Sequence, residues 1–187
     1  MPNGATIILA ETGAPNVRPE VRPDARFVYA HPAHCIAFAG GIGLAPFAPG
    51  TFGTLLAFPL FALLVAYSDS ITQLIVFIVF FGVGSWACHI SGRALGVSDH
   101  GGMVWDETVA FLLVLIFTPM ELAWQITAFA LFRFFDIVKP LPIRYFDRTL
   151  KNGFGVMFDD LLAAGYTLLA LALAKTLMDW ILESLTQ

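Results

Sequence analysis

The residues of this chain best suited to chemistry are carboxylates in pairs. Asp106-Glu107 and Asp159-Asp160 each stand at the edge of a long apolar run, and Asp99, Asp136 and Asp147 lie in polar stretches between such runs. A carboxylate at a membrane edge is costly among apolar neighbours, so it is a functional candidate by default. The plainer reading is that an acid at a helix start caps the first N–H groups and meets the helix dipole, for about 0.3–1 kcal/mol. Two acidic pairs together with Asp136 exceed what capping needs. Adjacent helical residues point about 100° apart, so within each pair one member is expected to face a cavity while the other orients it or acts through water.

Ligands rich in oxygen and free of thiolate suit a hard cation such as Mg²⁺, which takes one or two carboxylates and completes its shell with water and substrate phosphate. Carboxylates alone would repel a phosphate; a metal bridges that conflict, and lysine and arginine complete the neutralisation. Lys139, Arg144, Arg148 and Lys151 stand among these acids. The pattern points to a Mg²⁺-dependent site for a phosphorylated, membrane-embedded substrate. His100, beside Asp99, is a candidate for proton transfer near neutral pH or a solvated loop residue. Asp136 and Lys139 are three apart, which on a helix allows a plain ion pair.

The elements that must position these groups are apolar helices. Of 187 residues, 58% are hydrophobic and only 13% charged, with 18 Phe, and the mean hydropathy is +0.77. A typical soluble domain carries about 25% charged residues, so the chain is read as an all-α, polytopic integral membrane bundle. Segments free of charge predict about five spans, at 52–67, 71–90, 107–118, 122–138 and 161–178, or four if one segment is re-entrant. The stretch at 40–53 is apolar yet dense in Gly and Pro, which argues against a regular helix. It reads as a re-entrant loop lining a cavity, with a tight helix-packing connector as the alternative.

With the N-terminus inside, nine of the ten basic residues fall at the cytoplasmic side and only Lys175 outside. That is the bias expected of inner-membrane proteins, and it persists as six against one without the N-terminal arm. The same topology gathers seven carboxylates at the inner face, where a lipid headgroup lies. Residues 1–26, with four prolines, read as a mostly disordered cytoplasmic arm, and 27–187 as one membrane catalytic domain. The apolar run at 6–10 is too short for a secretory signal. With 10 Lys and Arg against 14 Asp and Glu, there is no basic excess for nucleic acid. Cys35 and Cys88 form no ligand or disulfide pattern. No protein partner is indicated.

Three segments are familiar as a set. They are 43–55, with Gly43-Leu44-Ala45-Pro46 and Thr51; 99–107, running Asp99-His100-Gly101-Gly102 to Val104-Trp105-Asp106-Glu107; and 132–148 followed by 153–165. The run Arg133-Phe134-Phe135-Asp136-Ile137-Val138-Lys139-Pro140, continuing to Arg144, Asp147 and Arg148, is the most specific. Together they resemble the phosphatidylglycerophosphatase A family, from about 38 to about 178. The resemblance implies a multi-pass enzyme of the bacterial inner membrane. Such an enzyme removes the terminal phosphate of phosphatidylglycerophosphate to give phosphatidylglycerol, with Mg²⁺ as cofactor and an active site near the cytoplasmic face. It places Asp106, Glu107, Asp159 and Asp160 around the metal, and Asp136 and Asp147 as further ligands or the base for water. Lys139, Arg144 and Arg148 fall on phosphate, with backbone N–H groups of the loop through Thr51 on the headgroup. Attack by water and attack by a carboxylate both remain open. A phosphatidyltransferase would need a DGxxAR run, which is missing. A small cation transporter or channel is the alternative, and would place carboxylates nearer the bilayer midplane.

Overall fold

The computed structural model describes residues 23–186 and is helical throughout, with no strand among the described residues. Two short helices come first, α1 (Ala25–Ala30) and α2 (Pro32–Ala37). Each is started by a side-chain cap: Asp24 Oδ1 accepts from Phe27 N at 2.8 Å, and His31 Nδ1 from Ala33 N at 3.1 Å. The arm expected at 1–26 lies outside the described residues up to 22, and its last two residues, Ala25 and Arg26, already belong to α1. A 3₁₀ segment, Ala39–Leu44, follows, in which Gly41 takes φ 104°, open in practice only to glycine.

The apolar Gly/Pro stretch is irregular only as far as Ala48, because Pro49 opens a helix, α3 (Pro49–Tyr67). Proline is at home at the first helical position, where its missing N–H costs nothing. Residues 49–53, expected to be loop, are therefore helical. The next helix, α4, runs Ser70–Leu95, capped by Asp69 and closed by Gly96 in the left-handed conformation. After it come α5 (Trp105–Phe117), α6 (Leu122–Val138), α7 (Ile143–Thr149) and α8 (Gly153–Leu185). Three helices, α3, α4 and α8, are long and apolar enough to cross a membrane. With 13 and 17 residues, α5 and α6 reach only about 20 and 26 Å at 1.5 Å per residue.

Short α5 is the hub, packing against α3, α4, α6 and α8. Val109, Ala110, Phe111, Leu112, Val114 and Leu115 are all buried, so α5 is apolar on every side. Around it gather Ala57, Phe61, Phe132, Ala163 and Ala164 from the neighbouring helices. A second core, with Val28, Ala37, Phe38, Cys88, Met103 and Met157, docks the N-terminal helices on α4. Outward faces stay apolar too: Ile71, Ile75, Ile78 and Val79 of α4 are exposed. A surface of that kind fits hydrocarbon better than water. Both cysteines are free, as expected.

Candidate active site

The site forms where the first turn of α5 meets the second turn of α8. The backbone before α5 is pinned by Val104 N donating to Ala37 O (2.9 Å), and the helix start by Trp105 Nε1 donating to Phe80 O (3.2 Å). Thr108 then ties α5 to α3, its hydroxyl donating to Gly53 O at 2.8 Å. These contacts aim Asp106 and Glu107 into the bundle. Asp159 and Asp160 are not at a helix start: Asn152 caps α8, its Oδ1 accepting from Gly155 N at 2.9 Å. Capping therefore explains nothing about the second acidic pair, which sits nearly two turns into α8.

One carboxylate oxygen from each of Asp106, Glu107 and Asp160 lies within 4.8 Å of the other two. Asp106 is 6% exposed and Asp160 4%. Glu107 Oε2 and Asp160 Oδ2 are buried with no hydrogen-bond partner. Two buried acids and a half-buried one this close repel one another, and with two orphaned acceptors they could hold a cation. The donor set fits a hard divalent ion such as Mg²⁺.

Asp159, expected beside Asp160 on the metal, lies about 100° around the helix from it and is not one of the three clustered acids. It accepts from Lys139 Nζ, which also donates to Asp147 Oδ1 at 2.9 Å. Lys139 reaches both because α6 ends at Val138 and Lys139 itself is left-handed, with φ 46°. It therefore shares no helix face with Asp136, and the ion pair considered for those two does not form. Burial alone would lower the Lys139 ammonium, but Asp159 and Asp147 outweigh it and hold it well above the usual lysine range. Partial burial alone would likewise raise the Asp147 carboxyl, but Lys139 outweighs this and holds it below the usual carboxylate range. Asp99 lines a small cleft with Asp147, Lys151 and Asp159.

Asp136 pairs instead with Arg133, one turn earlier on α6: Nη1 stands 2.6 Å from Asp136 Oδ2 and 3.7 Å from Glu107 Oε1. The same nitrogen donates to Thr54 Oγ1 of α3 at 3.2 Å. In the sequence Arg133 is an inner-side charge and opens the most specific run of the resemblance but carries no site role, yet it touches Glu107 of the triad. Its spacing to Asp136 in an otherwise apolar helix was the available signal.

The remaining candidates lie at the margin. Arg144 and Arg148 are exposed on α7, and Arg144 Nη2 donates to Val138 O at 3.2 Å. Thr51 is in the first turn of α3, where its amide already donates to Ala48 O at 2.9 Å. His100 Nδ1 accepts from Gly102 N at 3.0 Å, which ties the ring to its own loop and leaves Nε2 as its free end. Next to Thr51, a Cβ on Gly50 would overlap Glu107 Oε1 and come within 3.2 Å of Arg133 Nη1. The bare glycine lets α3 close over the triad.

Comparison with known proteins identifies the family. The family model for phosphatidylglycerophosphatase A matches residues 35–175, which takes in every acid of the site. The phosphatidylglycerophosphatase A of Haemophilus influenzae is 46% identical over 141 residues, covering 74% of this chain and 86% of that protein. The one from Escherichia coli K12 is 37% identical over 139 residues, covering 74% and 80%. A Bacteroides thetaiotaomicron protein, provisionally named a phosphatidylinositol-3-phosphatase, is 39% identical over 142 residues, covering 72% and 88%. No solved structure matches the chain. On the extent of the family match and the identity of these relatives, the chain belongs to the phosphatidylglycerophosphatase A family.

Proposed function

We propose that this protein hydrolyses the terminal phosphate monoester of phosphatidylglycerophosphate, releasing phosphate and phosphatidylglycerol. The reading puts it in a bacterial inner membrane with the site near the cytoplasmic face. The observation that carries the chemistry is the buried triad of Asp106, Glu107 and Asp160 with two unpartnered oxygens. The choice of substrate comes from the names of the relatives at 46% and 37% identity. Family membership favours hydrolysis over cation transport.

On this proposal α3, α4 and α8 span the bilayer fully. The shorter α5 and α6 complete five crossings because α5 is enclosed by protein and needs no lipid contact along its length. The 3₁₀ segment and the turn at 45–48 form the re-entrant approach to the site, their backbone groups satisfied from within: Gly43 N donates to Phe38 O and Ala45 N to Ile42 O.

Asp106, Glu107 and Asp160 would hold Mg²⁺, which supplies Lewis-acid polarisation of the phosphate and neutralises charge as the ester bond breaks. The chain's own residues divide the rest. Asp136 fixes Arg133 against the triad. Asp147 and Asp159 hold Lys139 as a permanent cation beside Asp160, and the apolar bundle keeps bulk water from the carboxylates, which strengthens every interaction at the site. Arg144 and Arg148, exposed on α7, are free to draw an anionic headgroup towards it.

The test is product analysis with detergent-purified protein, phosphatidylglycerophosphate and either Mg²⁺ or EDTA. Equimolar phosphate and phosphatidylglycerol with Mg²⁺, and neither with EDTA, is the result expected. Folded protein giving no product with metal present would overturn the proposal.

A further inference from the structure

The cluster contains unmet needs of two opposite kinds. Glu107 Oε2 and Asp160 Oδ2 are buried acceptors without a donor, and Arg133 Nε is a buried donor without an acceptor. A cation answers the first need and leaves the second standing. Arg133 is 15% exposed at its side chain, and every contact it makes to Thr54, Glu107 and Asp136 runs through Nη1. The guanidinium carries five N–H donors in a rigid fork, so the edge that includes Nε is still to be used. Burying an unpaired donor on a charged group is costly, which makes that edge a place for an anion.

Other basic residues are less suited to this task. Lys139 is committed to Asp147 and Asp159. Arg144 and Arg148 are exposed on α7. Among the described residues Arg133 alone of the basic side chains forms an ion pair with an acid of the triad, and Asp136 fixes its orientation. A planar donor edge of that kind matches paired oxygens of a phosphate monoester.

We propose that Arg133 is a substrate-binding residue, taking phosphate oxygens of the monoester on its Nε-containing edge while Nη1 stays with Asp136, Glu107 and Thr54. The inference rests on the hydrolase reading above. It assigns phosphate recognition in the interior of the bundle to α6, and leaves the α7 arginines a role in attracting the headgroup.

The test measures binding of inorganic phosphate in the presence of Mg²⁺, by titration calorimetry, together with kcat and KM for phosphatidylglycerophosphate. Wild type is compared with Arg133→Lys, which keeps the charge beside Asp136 and loses the planar fork. The proposal predicts phosphate binding at least tenfold weaker and a KM that rises more than kcat falls, with Mg²⁺ affinity measured without phosphate unchanged within threefold. Phosphate affinity and KM both within twofold of wild type would overturn it. A parallel loss of Mg²⁺ affinity would also overturn it, since Arg133 would then be acting on the triad rather than on substrate. Should Arg133→Lys fail to fold, the double variant Arg133→Gln with Asp136→Asn, which leaves no carboxylate stranded at position 136, is read by the same criteria. Wild-type protein that neither hydrolyses the lipid nor binds phosphate refutes the hydrolase reading itself, a result distinct from failure of Arg133 alone.

Discussion

Replacing Gly50 by Ala probes the closest approach in the site. The added methyl would overlap Glu107 Oε1, lie 3.1 Å from Glu107 Cδ and come 3.2 Å from Arg133 Nη1. Restoring ordinary contact at about 3.5 Å requires the Glu107 carboxylate to retreat by roughly 1 Å. A misplacement of about 1 Å in a reacting geometry costs about 10²-fold in rate, equivalent to about 2.7 kcal/mol of barrier. Overpacking costs about 1–3 kcal/mol of stability, offset in part by the advantage of Ala over Gly in a helix, at most about 1 kcal/mol. Gly82→Ala is the control, because nothing lies within 4 Å of its added methyl. The assay is kcat/KM for phosphate release from phosphatidylglycerophosphate, with thermal unfolding in the same detergent. Gly50→Ala should lose about 10²-fold while remaining folded, and Gly82→Ala should keep full activity. Equal activity in the two variants would refute the claim that α3 closes against Glu107.

Lys139→Met should destabilise the protein by about 3–5 kcal/mol, because it strands the buried Asp159 carboxylate. Asp147, about a quarter exposed, adds less than about 1 kcal/mol. Adding Asp159→Asn should recover most of the loss in denaturant unfolding, and strictly additive losses would show that the pair is not coupled. His34 is buried against Ser91, its Nδ1 2.9 Å from Ser91 Oγ. Burial, and then the neighbouring His31, hold it below the ordinary histidine value of 6.5. The folded state thus binds this proton less readily than the unfolded chain. Stability from this site is intact above pH 6.5 and falls as the pH drops below it. The unfolding temperature of wild type should therefore fall more between pH 7 and pH 5 than that of His34→Gln, and identical slopes would remove His34 as the cause.

Much of this could be read from the residues. Span 122–138 coincides with α6 at both ends, because Glu121 and Pro140 bound the apolar run closely. The last span was expected to begin at 161, whereas α8 begins at Gly153. A search for charge-free windows stops at Asp160 and discards the apolar turns before Asp159 that Asn152 starts. The 100° step between neighbours says that one member of each acidic pair faces the cavity but not which; for Asp159, grouped with Asp160 by the resemblance, the partner is Lys139, from a left-handed position that no periodicity foretells. Arg133 was given no site role because charge counting treats every arginine at the inner edge alike; its spacing to Asp136 was the signal, and packing shows that it turns inward. The loop at 40–53 was half legible: its glycines do hold left-handed turns at Gly40 and Gly41, while Pro49 starts a helix where a break was expected.

The most direct test of the central claim is phosphate release from phosphatidylglycerophosphate by Asp160→Asn, titrated with Mg²⁺ beside wild type. The substitution conserves shape while removing one charge from the triad, so the fold should survive and the metal site should not. The account predicts weaker Mg²⁺ activation and a rate about 10²–10³-fold lower at saturating metal, the scale of losing a principal electrostatic group. Asp160→Asn turning over within tenfold of wild type, with unchanged Mg²⁺ dependence, would contradict it.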